Sequence, residues 1–237
     1  LGPSGYGQYT LIMALVTFLV TIGNWGTQII GVRELSRSKR KSKLFSSLLV
    51  LRFLLSGLSI GLGTAFILIS PIFINIRQLG LISLILVFGL IVETSFNVIF
   101  QSLLKMDRRA IINISSSFIF LGLTILFFKL DLKLLAPIIS WLITRIITTI
   151  LAYFLSKRLI TWQWNPQQKL IKKLFIQSLP LGTLLVLSTA YDQAIDSFII
   201  QKYLGDQQVG YYGLAYKIYS NLVLPAYFLN NTLFPLL

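Results

Sequence analysis

Long runs of apolar residues, separated by short polar segments, make up most of this chain. A helix that crosses a bilayer needs about 20 mainly apolar residues. Stretches of strictly alternating polarity are absent, and helices satisfy their own backbone hydrogen bonds in lipid. The pattern therefore predicts an all-α polytopic membrane bundle in which short connections make neighbouring helices antiparallel. We expect seven spans, at residues 6–30, 44–70, 79–103, 110–128, 134–155, 180–203 and 209–237.

Composition supports a membrane protein. The 237 residues are 55% hydrophobic and only 12% charged, whereas soluble domains are about 25% charged. The net charge of +14 would suit nucleic acid, but the basic residues lie in short loops rather than on one domain or face, so no nucleic-acid partner is predicted. Cysteine and histidine are absent, which removes thiol nucleophiles, imidazole bases and the usual zinc ligands. No cofactor is expected.

The basic loops predict the orientation. Fourteen of the 21 lysines and arginines follow the first, third and fifth expected spans, and four lie in the loops on the opposite side. Because cytoplasmic loops of membrane proteins are enriched in lysine and arginine, we assign the first set to the cytoplasm. The prediction is a multi-pass protein of the plasma (inner) membrane, whose basic loops also contact anionic membrane lipids.

A boundary between two helical units is expected after the fifth span. Residues 167–177 have the pattern of an amphipathic helix on the membrane surface. It leads into Pro180 and Gly182, which either form a hinge or only mark a helix end. We therefore expect an N-terminal lobe at 1–160, a cytoplasmic linker at 161–179, and the first two helices of a C-terminal lobe at 180–237.

A short repeat relates the two expected lobes. The segments 1–9 and 204–212 both place Leu-Gly, then turn residues, then Gly-Tyr before a long apolar helix on the outer side. Repeats with the same orientation are typical of transporters built from two parallel halves. We expect a two-lobed protein of 12–14 helices. Because the chain opens without Met and ends in an apolar run, we treat it as part of that protein.

Several segments resemble one family of transporters. These are the opening Leu-Gly-Pro-Ser-Gly-Tyr-Gly-Gln-Tyr, the Gly-Val-Arg-Glu-Leu at 31–35, the Asp-Ser-Phe-Ile-Ile at 196–200, and the Leu-Gly and Gly-Tyr-Tyr at 204–212. Together they resemble the polysaccharide transporter family, the O-antigen and exopolysaccharide flippases, which are relatives of multidrug and toxin extrusion proteins. The resemblance implies an N-terminal lobe that lacks its first helix. It also implies alternating-access movement of a prenyl-diphosphate-linked oligosaccharide.

Six ionisable residues fall inside the expected spans, where charge is costly and usually functional. Arg52 and Glu93 lie at similar depths on adjacent spans, about 12 Å from the cytoplasmic end at 1.5 Å per residue. We predict that they form an ion pair. The alternative is that Arg52 extends its side chain to the cytoplasmic surface.

The sixth and seventh spans contain a second charged group. Asp192 and Asp196 are four residues apart on one helix face, and Lys217 reaches a similar depth from the outer side. The hypothesis is a Lys217–Asp192 or Lys217–Asp196 pair that loosens when a coupling H⁺ or Na⁺ binds. The alternative is a static pair that joins two helices, with Asp196 as its structural member.

Arg145 lies near the bilayer centre with no acid obviously level with it. A guanidinium binds phosphate oxygens with two parallel hydrogen bonds, so Arg145 is the predicted contact for a diphosphate head group. The alternative is a pair with an acid from helices outside this chain.

Several classes of function remain, and a channel or a purely structural membrane protein is disfavoured by the paired charges inside the spans and by the two-half repeat. A flippase for a lipid-linked oligosaccharide fits the repeat and the charges inside the spans. A multidrug or cation-coupled exporter of the same superfamily has a similar pattern. A membrane-embedded polymerase or ligase is disfavoured, because the outer loops are short and histidine is absent. We therefore expect a transporter rather than an enzyme.

Overall fold

The computed structural model describes residues 1–160 and 163–233, and every regular element in those ranges is helical. A 3₁₀ turn, Pro71–Ile76, lies between the third and fourth helices, and a π turn, Ala190–Ala194, lies between the seventh and eighth. The helices of the described part are α1 (Gly2–Asn24), α2 (Thr27–Arg37), α3 (Lys41–Ile69), α4 (Arg77–Ser102), α5 (Met106–Lys129), α6 (Leu135–Lys157), α7 (Gln168–Thr189), α8 (Ile195–Leu204) and α9 (Asp206–Leu233).

Six segments of the described chain are long and apolar enough to cross a bilayer. The all-helical prediction is confirmed, and these segments coincide with the first six expected spans. The seventh expected span, 209–237, coincides with α9, which is not among the six. The last four residues of that expected span, 234–237, lie outside the described ranges. The six segments are Gly2–Arg37, Lys41–Ile69, Pro71–Ser102, Met106–Lys129, Leu135–Lys157 and Gln168–Leu204.

The first span is not one helix, as residues 6–30 had suggested, but two. Trp25 and Gly26 adopt left-handed φ angles of 36° and 69° and separate α1 from α2. At this break the backbone packs directly against α7. A Cβ on Gly182 would overlap the Trp25 ring, and one on Gly26 would crowd the Gly182 nitrogen. The Trp25 ring therefore leaves no room for a side chain at 182, and the α7 backbone together with the left-handed φ favours glycine at 26.

The amphipathic segment 167–177 is not a separate surface helix. Helix α7 continues from Gln168 through Pro180 to Thr189, so the boundary expected at residue 179 falls inside it. Its buried residues Leu174, Ser178 and Gly182 recur every four positions and form one stripe, which packs against α1, α2 and α3. That continuous stripe explains the continuous helix. The division into two lobes and the hinge at Pro180 and Gly182 stay predictions.

Buried apolar side chains form two clusters at different depths. One lies toward the basic loops and includes Phe45 and Phe100, and the other lies toward the opposite side and includes Leu15 and Phe73. On α4 and α6, the buried residues between the two clusters are polar or charged, namely Glu93, Ser95, Thr144 and Thr148. The charged residues of α4 and α6 therefore lie in a polar layer between two apolar clusters, and the packing of these clusters holds the helices in place on either side of the charges.

Candidate functional site

The central ion pair joins α4 to α6. An Nη1 of Arg145 lies 2.6 Å from an Oε2 of Glu93, and the Thr148 hydroxyl donates to the same oxygen at 2.8 Å. The side chain of Glu93 is 5% exposed and that of Arg145 is 12% exposed. A charge-assisted hydrogen bond in such an environment is short and strong. The expectation that Arg145 has no acid at its own depth is therefore wrong.

Arg52 does not pair with Glu93, and it does not extend to the cytoplasmic surface. Its side chain is completely buried. Its Nε donates to the Thr27 hydroxyl and its Nη1 to the Ser95 hydroxyl, both at 2.9 Å. Within the described residues no carboxylate pairs with it, and Nη2 has no hydrogen-bond partner.

The position of α4 explains both corrections. This helix packs against α3 on one side and against α6 on another. Ser95 and Glu93 are two residues apart, which is about 200° around a helix at about 100° per residue. When Ser95 faces Arg52 on α3, Glu93 therefore faces α6, where Arg145 lies.

Trp141 links the ion pair to the start of α1. The Arg145 guanidinium lies 4.4 Å from the centre of the Trp141 ring, a cation–π contact. The indole nitrogen of Trp141 donates to the Tyr9 hydroxyl at 3.1 Å. Arg145 also borders a cavity of about 250 Å³ between α4 and α6. Within the described residues its Nε has no hydrogen-bond partner.

The acids of the second charged group are exposed and contact tyrosines. Asp196 accepts a hydrogen bond of 2.8 Å from the Tyr212 hydroxyl, and Asp192 interacts with the Tyr216 hydroxyl. Among the described residues, Lys217 forms an ion pair with neither aspartate. The predicted Lys217 pair is therefore wrong for this conformation.

Asp192 lies in a π turn. Five residues, Ala190–Ala194, form this turn between α7 and α8. Such turns are rare in helices and occur frequently at functional sites. Within the described part of the chain, no group of three or more acids could hold a metal ion. The binding of H⁺ or Na⁺ at Asp192 and Asp196 stays a prediction.

The two copies of the repeated segment pack against each other. Glycines make the approach close: a Cβ on Gly7 would overlap the carbonyl oxygen of Asp206, and one on Gly210 would overlap that of Pro3. One turn further along, a Cβ on Gly213 would crowd Thr10. The first turns of α1 and α9 therefore meet backbone to backbone at the end of the bundle opposite the basic loops. We call this region the outer contact.

Asp206 is a residue that sequence reasoning missed. Its two carboxylate oxygens accept hydrogen bonds from Gln8 of α1 and Gln201 of α8, both at 2.8 Å. Asp206 thus joins three helices at the outer contact. Its position directly after the repeated Leu-Gly was the available signal.

Beyond the outer contact, much of the surface of α9 is exposed. Its apolar side chains are largely exposed after Gly213, including Leu214 at 52%, Ile218 at 57% and Leu222 at 74%. Toward the basic loops, α7 instead packs on α1, α2 and α3.

Comparison with known families gives a match. The model of a family described as "polysaccharide biosynthesis protein" matches residues 1–237. Comparison with curated proteins and with solved structures gave no match.

Proposed function

This chain belongs to the polysaccharide biosynthesis protein family, and on that premise we propose that it is a flippase of the plasma membrane. Its substrate is a prenyl-diphosphate-linked oligosaccharide, which it moves from the cytoplasmic to the outer leaflet by alternating access. The observation that carries the proposal is the outer contact. The two helices that begin with the repeated segment touch there, and beyond that contact α9 leaves many of its apolar side chains exposed.

A carrier needs a contact that closes one side and can open. At the outer contact, backbone meets backbone through Gly7 and Gly210, which gives tight closure without large interlocking side chains. The hydrogen bonds of Asp206 are made to amide side chains and not to an opposite charge. Such bonds have a modest net energy, about 1.5–3 kcal/mol when one group is charged. This contact can therefore open when substrate binding favours the other state.

The diphosphate head group needs a cationic partner, and Arg145 remains our candidate for that partner within the spans. Its Nη1 holds Glu93, while its Nε has no hydrogen-bond partner among the described residues and can donate to a phosphate oxygen. The exposed Asp192 and Asp196 are the proposed site of the coupling H⁺ or Na⁺. Membrane lipids surround the exposed apolar faces.

Cross-linking of the outer contact tests the mechanism. Gln8→Cys and Asp206→Cys, in a background whose 237 residues contain no native cysteine, are joined by a short thiol-specific cross-linker in the native full-length protein. We expect translocation of the lipid-linked oligosaccharide to stop in proteoliposomes, because the outer side can no longer open. A reducible linker should restore translocation after reduction.

The matched control joins two helices within one bundle. Phe53 of α3 and Phe88 of α4 stack with centroids 5.6 Å apart and are exposed, so Phe53→Cys with Phe88→Cys is joined in the same way. This cross-link should leave translocation unchanged. Unchanged translocation by the protein cross-linked at residues 8 and 206 would exclude alternating access through the outer contact.

A deletion strain tests the substrate. Without the protein, lipid-linked oligosaccharide should accumulate intact in the cytoplasmic leaflet. Accumulation of a toxic drug with normal polysaccharide export would support the multidrug exporter instead. Accumulation of unpolymerised repeat units on the outer leaflet would support an enzyme.

A further inference from the structure

An apolar groove separates α3 from the beginning of α7. It has a volume of about 770 Å³, and apart from Gln168 and Lys172 the described residues that line it are apolar. Leu54 and Leu58 of α3 form its floor, and both are exposed, at 64% and 57%. On α7, Phe175 forms part of the opposite wall.

A second groove lies further along the same face of α3. It has a volume of about 450 Å³ and is lined by apolar residues of α1, α3, the π turn and α8, among them Leu62, Phe66 and Ala194. Leu62 follows Leu58 by four residues, so the two grooves are in line on one face of α3. From Val50 to Phe66 they extend about 24 Å at 1.5 Å per residue. We call the combined groove the α3–α7 furrow.

The furrow has a basic mouth at its cytoplasmic end. Lys172 is exposed there. The neighbouring Lys173 is neutralised by Glu34, 2.6 Å away, so Lys172 keeps its charge for a ligand. The backbone before α7 is held on α3, because the Ser46 hydroxyl donates to the Gln163 carbonyl at 2.8 Å and the Gln167 nitrogen donates to Ser47 at 3.0 Å. The mouth is therefore preformed.

We propose that the α3–α7 furrow binds the hydrocarbon tail of the prenyl-diphosphate lipid, with its phosphates at Lys172. This proposal rests on the proposed function and adds the place where the substrate is held before translocation. The length of the furrow favours this occupant over a phospholipid. About 24 Å covers most of a hydrocarbon core of about 30 Å, and an acyl chain of one leaflet reaches only about half of that core. One long single chain fills the furrow.

Photolabelling tests the occupant. The native full-length protein in proteoliposomes is irradiated with a prenyl diphosphate that carries a diazirine near the end of its tail, and separately with a phosphatidylglycerol that carries a diazirine in its acyl chain. We expect the prenyl probe to label the α3 peptide around Leu58 and Leu62, and excess unlabelled prenyl diphosphate to remove that label. Equal labelling by the phospholipid, without competition, would overturn the proposal. Absence of label there, with labelling of α5, would also overturn it and would indicate that another protein segment covers the furrow.

Substitutions separate the tail site from the proposed function. Leu58→Trp fills the furrow, and Leu121→Trp on α5 is the matched control, because both leucines are 57% exposed. We expect binding of the prenyl diphosphate to fall at least tenfold in the first variant and to stay unchanged in the second. Lys172→Gln should weaken binding of the prenyl diphosphate roughly fivefold. Lys169→Gln is the control, because Lys169 lies one turn earlier in α7 and does not line the furrow, and it should leave binding unchanged.

The outcomes distinguish the two proposals. If the unsubstituted protein translocates the lipid and Leu58→Trp binds and translocates it equally well, the furrow is not the tail site and the flippase function stands. If the unsubstituted protein does not translocate the lipid at all, the proposed function itself fails.

Discussion

The two groups of charges within the spans differ in their surroundings. In the α3–α6 region, Arg52 and Glu93 are buried and Arg145 is largely buried between two apolar clusters, and they are held by hydroxyls or by each other. In the α8–α9 region, Asp192 and Asp196 are exposed, and their partners are tyrosine hydroxyls. The sequence makes both groups look alike, as ionisable residues within apolar helices.

This difference separates stability from function. A buried pair that loses one member leaves an uncompensated charge, so the first group is expected to stabilise the fold. An exposed acid loses little when it is replaced on the surface and can exchange a proton or a cation. Substitutions in the buried group should therefore change mainly the stability of the fold, and substitutions of the exposed acids should change mainly transport.

The largest effect is expected at the central ion pair. Glu93→Gln leaves Arg145 charged and buried, so the free energy of unfolding should fall by about 3–5 kcal/mol. The measurement is thermal or denaturant unfolding of the protein in detergent. The double variant Glu93→Gln/Arg145→Gln removes the arginine charge as well. Its loss in free energy of unfolding should be smaller than that of the single variant Glu93→Gln. An equal or larger loss in the double variant would show that the pair itself does not account for the effect.

A smaller effect is expected at Arg52. Met in its place keeps most of the volume and removes a buried charge that has no carboxylate partner among the described residues. Thr27 and Ser95 keep acceptors of their own, the carbonyls of Asn24 and Ile91. Arg52→Met should therefore lower the free energy of unfolding by only about 1 kcal/mol. A loss as large as that of Glu93→Gln would mean that Arg52 is neutralised by a group outside the described residues.

The smallest effect on stability is expected at the exposed acids. Asp192→Asn and Asp196→Asn should change the free energy of unfolding by about 0.5 kcal/mol or less, while translocation driven by an H⁺ or Na⁺ gradient should fall clearly. The same unfolding assay and a gradient-driven proteoliposome assay measure the two properties. Unchanged gradient dependence in both variants would remove the acids from ion coupling.

Arg145 belongs to both sides of this comparison, because it is paired and yet has an unpartnered Nε. Its proposed role in binding the diphosphate is tested in the stability-compensated Glu93→Gln/Arg145→Gln variant. Loss of substrate binding in a protein that still folds would support the role. Normal binding would assign Arg145 to structure alone.

The failed predictions have a common cause. Depth along a helix can be counted from the sequence, and Arg52 and Glu93 were correctly placed near one depth. The direction in which each side chain points around its helix could not be predicted, because it depends on how α4 packs between α3 and α6. The same applies to Lys217, which is exposed on α9 and pairs with neither aspartate among the described residues.

Sequence alone determined the helical class and the positions of the first six spans, because both follow from local hydrophobicity against the thickness of a bilayer. It also showed the repeated segment. Only the tertiary structure decided that Glu93 pairs with Arg145, that the α1–α2 break packs on α7, and that the two repeats meet at an outer contact. Those features depend on the rotation and crossing of packed helices, which are set by contacts between residues far apart in the chain.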